Sequence, residues 1–188
     1  MGELKKLLLE SGAVLEGHFL LTSGRHSNKY VEKFRLLENP VALKSICKLM
    51  SEKYKNDSVD LILGAAIGGI LLCGGVGREL NVKHIFTERV DKKMVLKRGF
   101  EIEKNQRVVI VEDIITTGGS VFEMIDIVGE SGAEIVGVSS ILDRSNKKID
   151  FGAPHSPLLK MKIDSWGEGE VPQWLKRIPI TKPGSTGK

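Results

Sequence analysis

The apolar residues of this chain fall into short runs separated by stretches with helical spacing. The clearest run is 108–111, Val-Val-Ile-Val, in which every residue is β-branched and no polar residue intervenes. Such a run predicts a strand covered on both faces, as in a parallel sheet between layers of helices. Further strands are predicted at 59–63, 82–87 and 134–142.

Helices are predicted between these strands. Apolar residues recur at helical spacing in 40–54, where a proline provides the first residue, and again in 70–80 and 120–129. Residues 3–11 predict a short amphipathic helix, and 88–100 a charged connection. Strands that alternate with helices imply right-handed crossovers, so the pattern predicts an α/β fold with a mostly parallel sheet.

Composition narrows the class of protein. The 188 residues favour a single domain, and 41% hydrophobic with 28% charged residues is ordinary for a globular protein. No apolar run approaches the length of about 18 residues that a membrane span needs. Cys47 and Cys73 lack the spacing of a zinc site and fit a reducing cytoplasm. The net charge of +4 suits an anionic ligand but equally a solvated surface, so we infer no nucleic-acid binding.

The most informative segment joins two acids to a loop rich in glycine and hydroxyl groups. Glu112 and Asp113 follow the apolar run, and 116–120 reads Thr-Thr-Gly-Gly-Ser before the next helix. Glycines at a helix N-terminus let backbone N–H groups bind an anion, and carboxylates accept hydrogen bonds from hydroxyl groups. A phosphorylated sugar satisfies both. The alternative is a strand, turn and helix whose acids are merely solvated.

Two further segments are candidates for the same site. The loop 64–69, Gly-Ala-Ala-Ile-Gly-Gly, follows the strand 59–63 and opens onto a helix, so it could hold a second phosphate group. Its glycines could instead only permit close packing of helix and sheet. The segment 88–99 carries five cations that could close over a leaving group or could form a solvated hairpin.

The segment 107–120 resembles the phosphoribosyl-pyrophosphate motif of the type I phosphoribosyltransferases. Over nearly its whole length the chain is similar to the orotate phosphoribosyltransferases, on the evidence of 21–25, Ser27, Tyr30, 64–69, Arg89, Lys93, 107–120 and Leu142-Asp-Arg144. The resemblance implies a doubly wound, mostly parallel sheet flanked by helices, with a small N-terminal hood. It implies one domain over 1–188, in which 1–35 contribute to the base-binding hood and 182–188 form a polar tail.

The resemblance also implies roles for individual residues. Glu112 and Asp113 would hold the ribose hydroxyls. The 5-phosphate would be bound by Thr116, Thr117, Gly118, Gly119 and Ser120, and Ile114 and Ile115 would also contact phosphoribosyl pyrophosphate. Pyrophosphate would be bound by Ala66, Ile67, Gly68 and Gly69, together with Arg89, Lys92 and Lys93. Orotate would contact Thr116, Arg144, Arg25 and His26. Arg89, Lys93 and Asp113 would be the catalytic residues.

The implied reaction is transfer of a 5-phosphoribosyl group from phosphoribosyl pyrophosphate to N1 of orotate, within pyrimidine biosynthesis. Mg²⁺ would be held mainly by pyrophosphate and ribose, without a dedicated protein site. A homodimer with shared active sites is implied, and neither nucleic acid nor membrane is expected as a partner. Two alternatives stay open: an enzyme of this fold that uses another base, and a regulator that senses phosphoribosyl pyrophosphate and binds nucleic acid.

The chain departs from the family at several positions. Many members have Lys in place of His26 and of Val90, and a His-Gly pair shortly after the residue that matches Lys93. Which cations between Arg89 and Arg98 replace that histidine is left open, as is the role of 166–174. The remaining histidines match no catalytic position and are expected to be structural or to lie on the surface: His18, His84 and His155.

Overall fold

The computed structural model describes residues 11–183, which form two β-sheets with helices packed against the larger one. The predicted N-terminal helix and most of the polar tail lie outside these residues. Along the chain the elements are β1 (Val14–Leu20), β2 (His26–Val31), α1 (Phe34–Leu37), α2 (Pro40–Ser51), β3 (Leu61–Ala65), α3 (Gly68–Leu80), β4 (Lys83–Val90), β5 (Lys93–Leu96), β6 (Arg107–Ile115), α4 (Gly119–Glu130), β7 (Glu134–Asp143), β8 (His155–Lys160), β9 (Ser165–Trp166), a 3₁₀ turn (Glu168–Glu170), α5 (Gln173–Lys176) and β10 (Ile180–Thr181).

The larger sheet has the strand order β5-β4-β3-β6-β7-β8. Its pairs are parallel except for the antiparallel pair β4 and β5. The predicted α/β architecture with a mostly parallel sheet is therefore confirmed.

The central strand β6 is buried on both faces, as its unbroken β-branched run predicts. Residues Val109 and Val111 pack with α2 and α3, whereas Val108 and Ile110 pack with α4. All four side chains are fully buried. Alternate residues of one strand thus face two separate helical layers, which is why no polar residue interrupts the run.

Helix α2 begins where the sequence predicts. The Asn39 side chain accepts hydrogen bonds from the N–H groups of Val41 and Ala42 at 3.0 and 3.1 Å. Pro40 occupies the first turn, where a backbone N–H would have no partner within the helix, so the missing N–H of proline costs no hydrogen bond. Ile46 is fully buried on its inner face. The helix ends at Ser51, so the prediction that it continues to residue 54 is wrong.

The smaller sheet has the order β10-β1-β2-β9 and combines both ends of the chain. Strands β1 and β2 form an antiparallel hairpin, while β9 and β10 add two residues each at its edges. Strands β1 and β2 come from the segment that is expected to form an N-terminal hood, and they pair with C-terminal strands that the sequence pattern did not indicate. Strand β2 reads His-Ser-Asn-Lys-Tyr-Val, in which too few apolar residues alternate to predict a strand.

Two predicted boundaries change around the acid pair and the charged connection. Strand β6 continues to Ile115, so Glu112 and Asp113 lie within its last residues rather than beyond it. The connection 88–100 is largely a hairpin of β4 and β5. Its turn residues Asp91 and Lys92 have φ of 47° and 68°, the paired left-handed conformation that matches the twist of a two-residue hairpin.

Candidate active site

The two acids lie side by side at the carboxyl end of β6 and are buried. The N–H of Asp113 donates to Glu112 Oε1 at 2.9 Å, and the N–H of Ile114 donates to Asp113 Oδ1 at 2.6 Å. Burial, reinforced by the charge of Asp113, raises the pKa of Glu112 to about 8. The pair is therefore placed to accept hydrogen bonds from a ligand and carries less negative charge at neutral pH than two solvated carboxylates.

Lys33 pairs with this site, and the sequence analysis missed it. Its Nζ lies 2.7 Å from Asp113 Oδ2. The side chain of Asp113 is only 5% exposed, so the contact is shielded from water. Lys33 belongs to no motif and no periodic segment, and only the folded chain brings it from the end of β2 to the end of β6.

The loop after β6 forms a small concave site at the start of α4. Gly118 has φ of 81°, and a Cβ atom there would lie 2.9 Å from the Phe151 ring, so glycine is required on both grounds. The cavity has a volume of about 250 Å³. Its lining includes Glu112, Ile114, Ile115, Thr116, Thr117, Gly118, Gly119 and Ser120, with Arg89 and Glu123. Hydroxyl groups and the N-terminus of a twelve-residue helix suit a phosphate group.

The second glycine loop touches the acid pair. A Cβ atom on Gly68 would lie 1.7 Å from Asp113 Oδ2, and one on Gly64 would lie 2.5 Å from the carbonyl oxygen of Gly69. The loop is held to β4, because the N–H of Ala66 donates to the Thr87 carbonyl at 2.8 Å. Both predicted loops therefore lie next to Asp113. The side chain of Ile67, in the second of them, is 72% exposed.

A cavity of about 720 Å³ lies between the two sheets, next to the loop 116–120, which we call the phosphate-type loop. Its lining includes Leu21, Thr22, Ser23, Arg25 and Tyr30 from the β1–β2 hairpin, Thr116, Thr117, Arg144 and Asn146 from the segments that follow β6 and β7, and 162–165 with Pro183. A neighbouring cavity of about 760 Å³, lined by 145–150 among others, contains none of the predicted ligand-binding residues.

Arg144 is the strongest chemical feature of the cavity between the sheets. Its N–H donates to the Ile115 carbonyl at 2.8 Å, which fixes the backbone directly after β7. Burial lowers the pKa of Arg144, and its buried Nε has no hydrogen-bond partner within the described part of the chain. A buried guanidinium group with an unused donor suits an anionic ligand such as a carboxylate.

Arg25 and His26 are neighbours in sequence but have different surroundings. Arg25 lines the cavity and donates to Ser165 Oγ at 3.0 Å and to the Ser165 carbonyl at 2.6 Å. The His26 ring is buried in the smaller sheet, with Nδ1 2.7 Å from His18 Nε2, and His18 Nδ1 lies 3.1 Å from the Ile178 carbonyl. The structure does not place the His26 ring in the cavity, because packing within the sheet directs it toward His18.

The cations of the β4–β5 hairpin are partly engaged within the hairpin and with α4. Arg89 makes two hydrogen bonds to the Glu123 carboxylate at 2.6 and 3.1 Å and donates to the Lys92 carbonyl. This contact lowers the pKa of Glu123, while Arg98 pairs with Glu88 at 2.6 Å. Lys92 and Lys93 are exposed.

The acid pair offers few ligands for a metal ion. Among residues 11–183, no group of three or more histidine, cysteine, aspartate or glutamate side chains could hold one. A hard cation such as Mg²⁺ prefers oxygen ligands and fits beside Glu112 and Asp113 only if a bound substrate supplies further oxygens.

None of the helices in the described part of the chain is long and apolar enough to cross a membrane.

Comparison with known proteins agrees with this geometry. The phosphoribosyl transferase domain family matches residues 35–169. The orotate phosphoribosyltransferase of Carboxydothermus hydrogenoformans is 43% identical over 185 residues, which cover 97% of each chain. That of Thermotoga maritima is 41% identical over 184 residues, or 98% of each chain.

A solved structure shares the fold. The Mycobacterium tuberculosis orotate phosphoribosyltransferase in complex with Fe(III) dicitrate superposes with a TM-score of 0.70 at 25% identity, covering 85% of this chain and 95% of that one. The acid pair, its two glycine loops and these likenesses agree, and the chain belongs to the phosphoribosyltransferase family, among the orotate phosphoribosyltransferases.

Proposed function

We propose that this protein transfers the 5-phosphoribosyl group of phosphoribosyl pyrophosphate to N1 of orotate, forming orotidine 5′-monophosphate and pyrophosphate. The observation that carries the proposal is the buried Nε of Arg144, which has no hydrogen-bond partner among residues 11–183, in a side chain that lines a cavity sharing Thr116 and Thr117 with the loop 116–120. A carboxylate-bearing base and a phosphorylated sugar would therefore occupy adjoining spaces.

Phosphoribosyl pyrophosphate would lie across the carboxyl ends of β3 and β6. Its ribose hydroxyls would donate to Glu112 and Asp113, its 5-phosphate would bind the loop formed by 116–120, and Ile114 and Ile115 at the end of β6 would also contact phosphoribosyl pyrophosphate. Its pyrophosphate would meet the backbone of Ala66, Ile67, Gly68 and Gly69, at the start of α3. The contact between Gly68 and Asp113 supports this placement, because it brings the pyrophosphate loop against the diol-binding acids.

The reaction depends on positioning and charge rather than on a protein nucleophile. The bond between C1 of ribose and the pyrophosphate oxygen breaks, and its electron pair leaves with that oxygen. N1 of orotate supplies the electron pair of the new bond to C1, and the N1 proton goes to solvent. The residues here hold both reactants in place and stabilise charge where it develops.

Cations and a metal ion would act on the leaving group. Arg89 and Lys93, with Lys92, are proposed to neutralise pyrophosphate; Arg89 already lies on the wall of the phosphate-type loop. Mg²⁺ would be held mainly by pyrophosphate and ribose oxygens, in the part of the site that contains Glu112 and Asp113. When bound, it neutralises charge on the pyrophosphate and makes it a better leaving group.

Orotate would lie in the cavity between the sheets. Its carboxylate would accept hydrogen bonds from Arg144, and Thr116 and Arg25 would contact the base. We infer that the smaller sheet is the hood over this base within one domain, and that the segment 1–35 contributes β1 and β2 to it beside β9 and β10. The buried position of the His26 ring supports a role for that residue in holding the hood rather than in contacting orotate.

A homodimer with shared sites is part of the proposal. Large hydrophobic side chains are exposed on three helices that pack together, α1, α2 and α3, and on the residue before α3: Phe34, Val41, Leu71 and Ile67. Val41 is 70% exposed. Exposed hydrophobic residues on helices that pack together are the kind of surface that forms an interface. The free, buried thiols of Cys47 and Cys73 support function in the reducing cytoplasm.

The choice of base tests the proposed function. The protein is incubated with phosphoribosyl pyrophosphate and Mg²⁺ and with orotate, uracil, adenine or hypoxanthine in turn, and pyrophosphate release is measured. We expect release with orotate and little with the three bases that lack a carboxylate, because these leave Arg144 unpaired. Preference for one of the other bases would contradict the assignment.

A further inference from the structure

Lys33 is a cation next to the acid pair, and it has no part in the reaction proposed so far. Its Nζ lies 2.7 Å from Asp113 Oδ2, and its side chain is 33% exposed, so the ammonium contacts the acid while part of the side chain stays open to solvent. Among the ion pairs formed by residues 11–183, only the pair of Lys33 and Asp113 contains a member of the acid pair. An ammonium group has three donors, and Asp113 uses one of them.

The position of Lys33 is fixed by its backbone. Its carbonyl accepts hydrogen bonds from the N–H groups of Leu36 and Leu37 at 3.0 and 3.1 Å. Both leucine side chains are buried in the core, which anchors the short helix that begins after Lys33. The side chain is therefore directed to the acid pair from a rigid starting point.

The same oxygen of Asp113 touches the pyrophosphate loop. A Cβ atom on Gly68 would lie 1.7 Å from Asp113 Oδ2, the atom that binds the Lys33 ammonium. The loop 64–69 itself contains no charged side chain. Arg89 is paired with Glu123, as described above. A cation beside the first turn of α3 is thus supplied from outside the loop.

We propose that Lys33 binds the pyrophosphate group of phosphoribosyl pyrophosphate, bridging Asp113 to the oxygen that leaves C1. This inference rests on the proposed function and adds a residue to it. As the bond from C1 breaks, its electron pair moves onto that oxygen, and a Lys33 N–H donates a hydrogen bond to it. The contact of Lys33 with Asp113 holds the diol-binding acid and the leaving group in one arrangement.

Direct binding of two fragments tests the proposal. Lys33→Met is compared with wild type by isothermal titration calorimetry, using pyrophosphate with Mg²⁺ and, separately, ribose 5-phosphate. A hydrogen bond to a charged group contributes about 1.5–3 kcal/mol, so we expect pyrophosphate affinity to fall about 10- to 100-fold. Affinity for ribose 5-phosphate should change less than about threefold, because Lys33 does not contact the sugar phosphate.

The control is Lys29→Met, which removes an exposed lysine of β2 that pairs with Glu16 at 3.2 Å. It should leave both affinities unchanged. Unchanged pyrophosphate affinity in Lys33→Met would overturn the proposal, and so would an equal loss of both ligands, which would mean that Lys33 only neutralises the acid pair. If Lys33→Met does not fold, Lys33→Gln provides the same comparison. Failure of the proposed function is seen separately, as wild-type protein that binds pyrophosphate but does not convert orotate.

Discussion

Glu112 shows how burial changes the chemistry of a single residue. Its pKa is raised from the ordinary 4.5 to about 8, mainly by burial and then by the charge of Asp113. At neutral pH and without ligand the group therefore tends to keep its proton. Ligand hydroxyls and cations that favour the ionised form would release this proton on binding.

The first residue-scale prediction concerns stability and pH. Between pH 4.5 and about 8 the folded protein keeps the Glu112 proton that the unfolded chain loses, so the free energy of unfolding falls as pH rises through this window. Glu112→Gln removes this loss. Urea denaturation without ligand or metal should show the variant gaining at least about 1.4 kcal/mol over wild type between pH 5 and pH 9. Glu130→Gln, at the exposed end of α4, is the control; a constant difference between Glu112→Gln and wild type would contradict the account.

The second residue-scale prediction concerns the buried arginine. Arg144→Gln keeps a polar side chain of similar reach but removes the charge that orotate would meet. We expect the KM for orotate to rise about 10- to 100-fold, the effect of losing a charged hydrogen bond, with the KM for phosphoribosyl pyrophosphate nearly unchanged. Steady-state kinetics with each substrate varied separately measures both constants. An orotate KM within twofold of wild type would remove Arg144 from the base site.

At the scale of elements, the site exists because β3 and β6 are adjacent and parallel. The loops that follow them meet at one edge of the sheet, where ligands bind in such folds. Both loops begin helices, so each presents backbone N–H groups to an anion. The unbroken valine and isoleucine run and the glycines after it made this half of the site predictable from sequence.

The other half was less predictable for physical reasons. Strand β2 is mostly polar and β9 has only two residues, so neither has a clear hydrophobic period. The contact of Lys33 with Asp113 joins residues 80 positions apart and depends on tertiary packing alone. The His26 ring could be assigned to the pocket by its place beside Arg25, but its direction depends on a partner, His18, in the paired strand.

The element-scale prediction concerns the fit between the second loop and the acid pair. Gly68→Ala places a methyl group where Asp113 Oδ2 now lies, so the loop or the acid must move. We expect kcat/KM for phosphoribosyl pyrophosphate to fall at least about 100-fold, since misplacement by about 1 Å has that effect. In the matched control, Gly74→Ala within the same helix, the new Cβ would lie 3.8 Å from the His84 ring, an ordinary contact. Activity of Gly68→Ala equal to that of Gly74→Ala would contradict this account of the site.

At the scale of the whole molecule, the two sheets enclose the proposed base site between them. The β1–β2 hairpin supplies Arg25 and Tyr30, and the segments that follow β6 and β7 supply Thr116 and Arg144. The β4–β5 hairpin lies at the far edge of the larger sheet, with Lys93 exposed. That exposure supports the proposal that Lys93 acts in the site of a second copy, whereas Arg89 lines the phosphate-binding cavity of its own chain.

Mixing inactive variants tests shared sites. Lys93→Ala should lower kcat about 10²- to 10³-fold if its charge acts mainly in the transition state, and Asp113→Asn should also be nearly inactive. After subunit exchange, some sites of the mixed dimer contain neither change, so activity should return. Exchange is confirmed by mass spectrometry of differently tagged subunits. Proven exchange without recovery of activity would contradict sharing.

Turnover of orotate by the wild-type protein tests the proposed phosphoribosyl transfer most directly. Loss of orotate absorbance is followed with phosphoribosyl pyrophosphate and Mg²⁺, while pyrophosphate and orotidine 5′-monophosphate are quantified in the same samples. We expect one pyrophosphate and one orotidine 5′-monophosphate for each orotate consumed, and no reaction when phosphoribosyl pyrophosphate is omitted. Folded protein that leaves orotate unchanged under these conditions would contradict the proposed transfer.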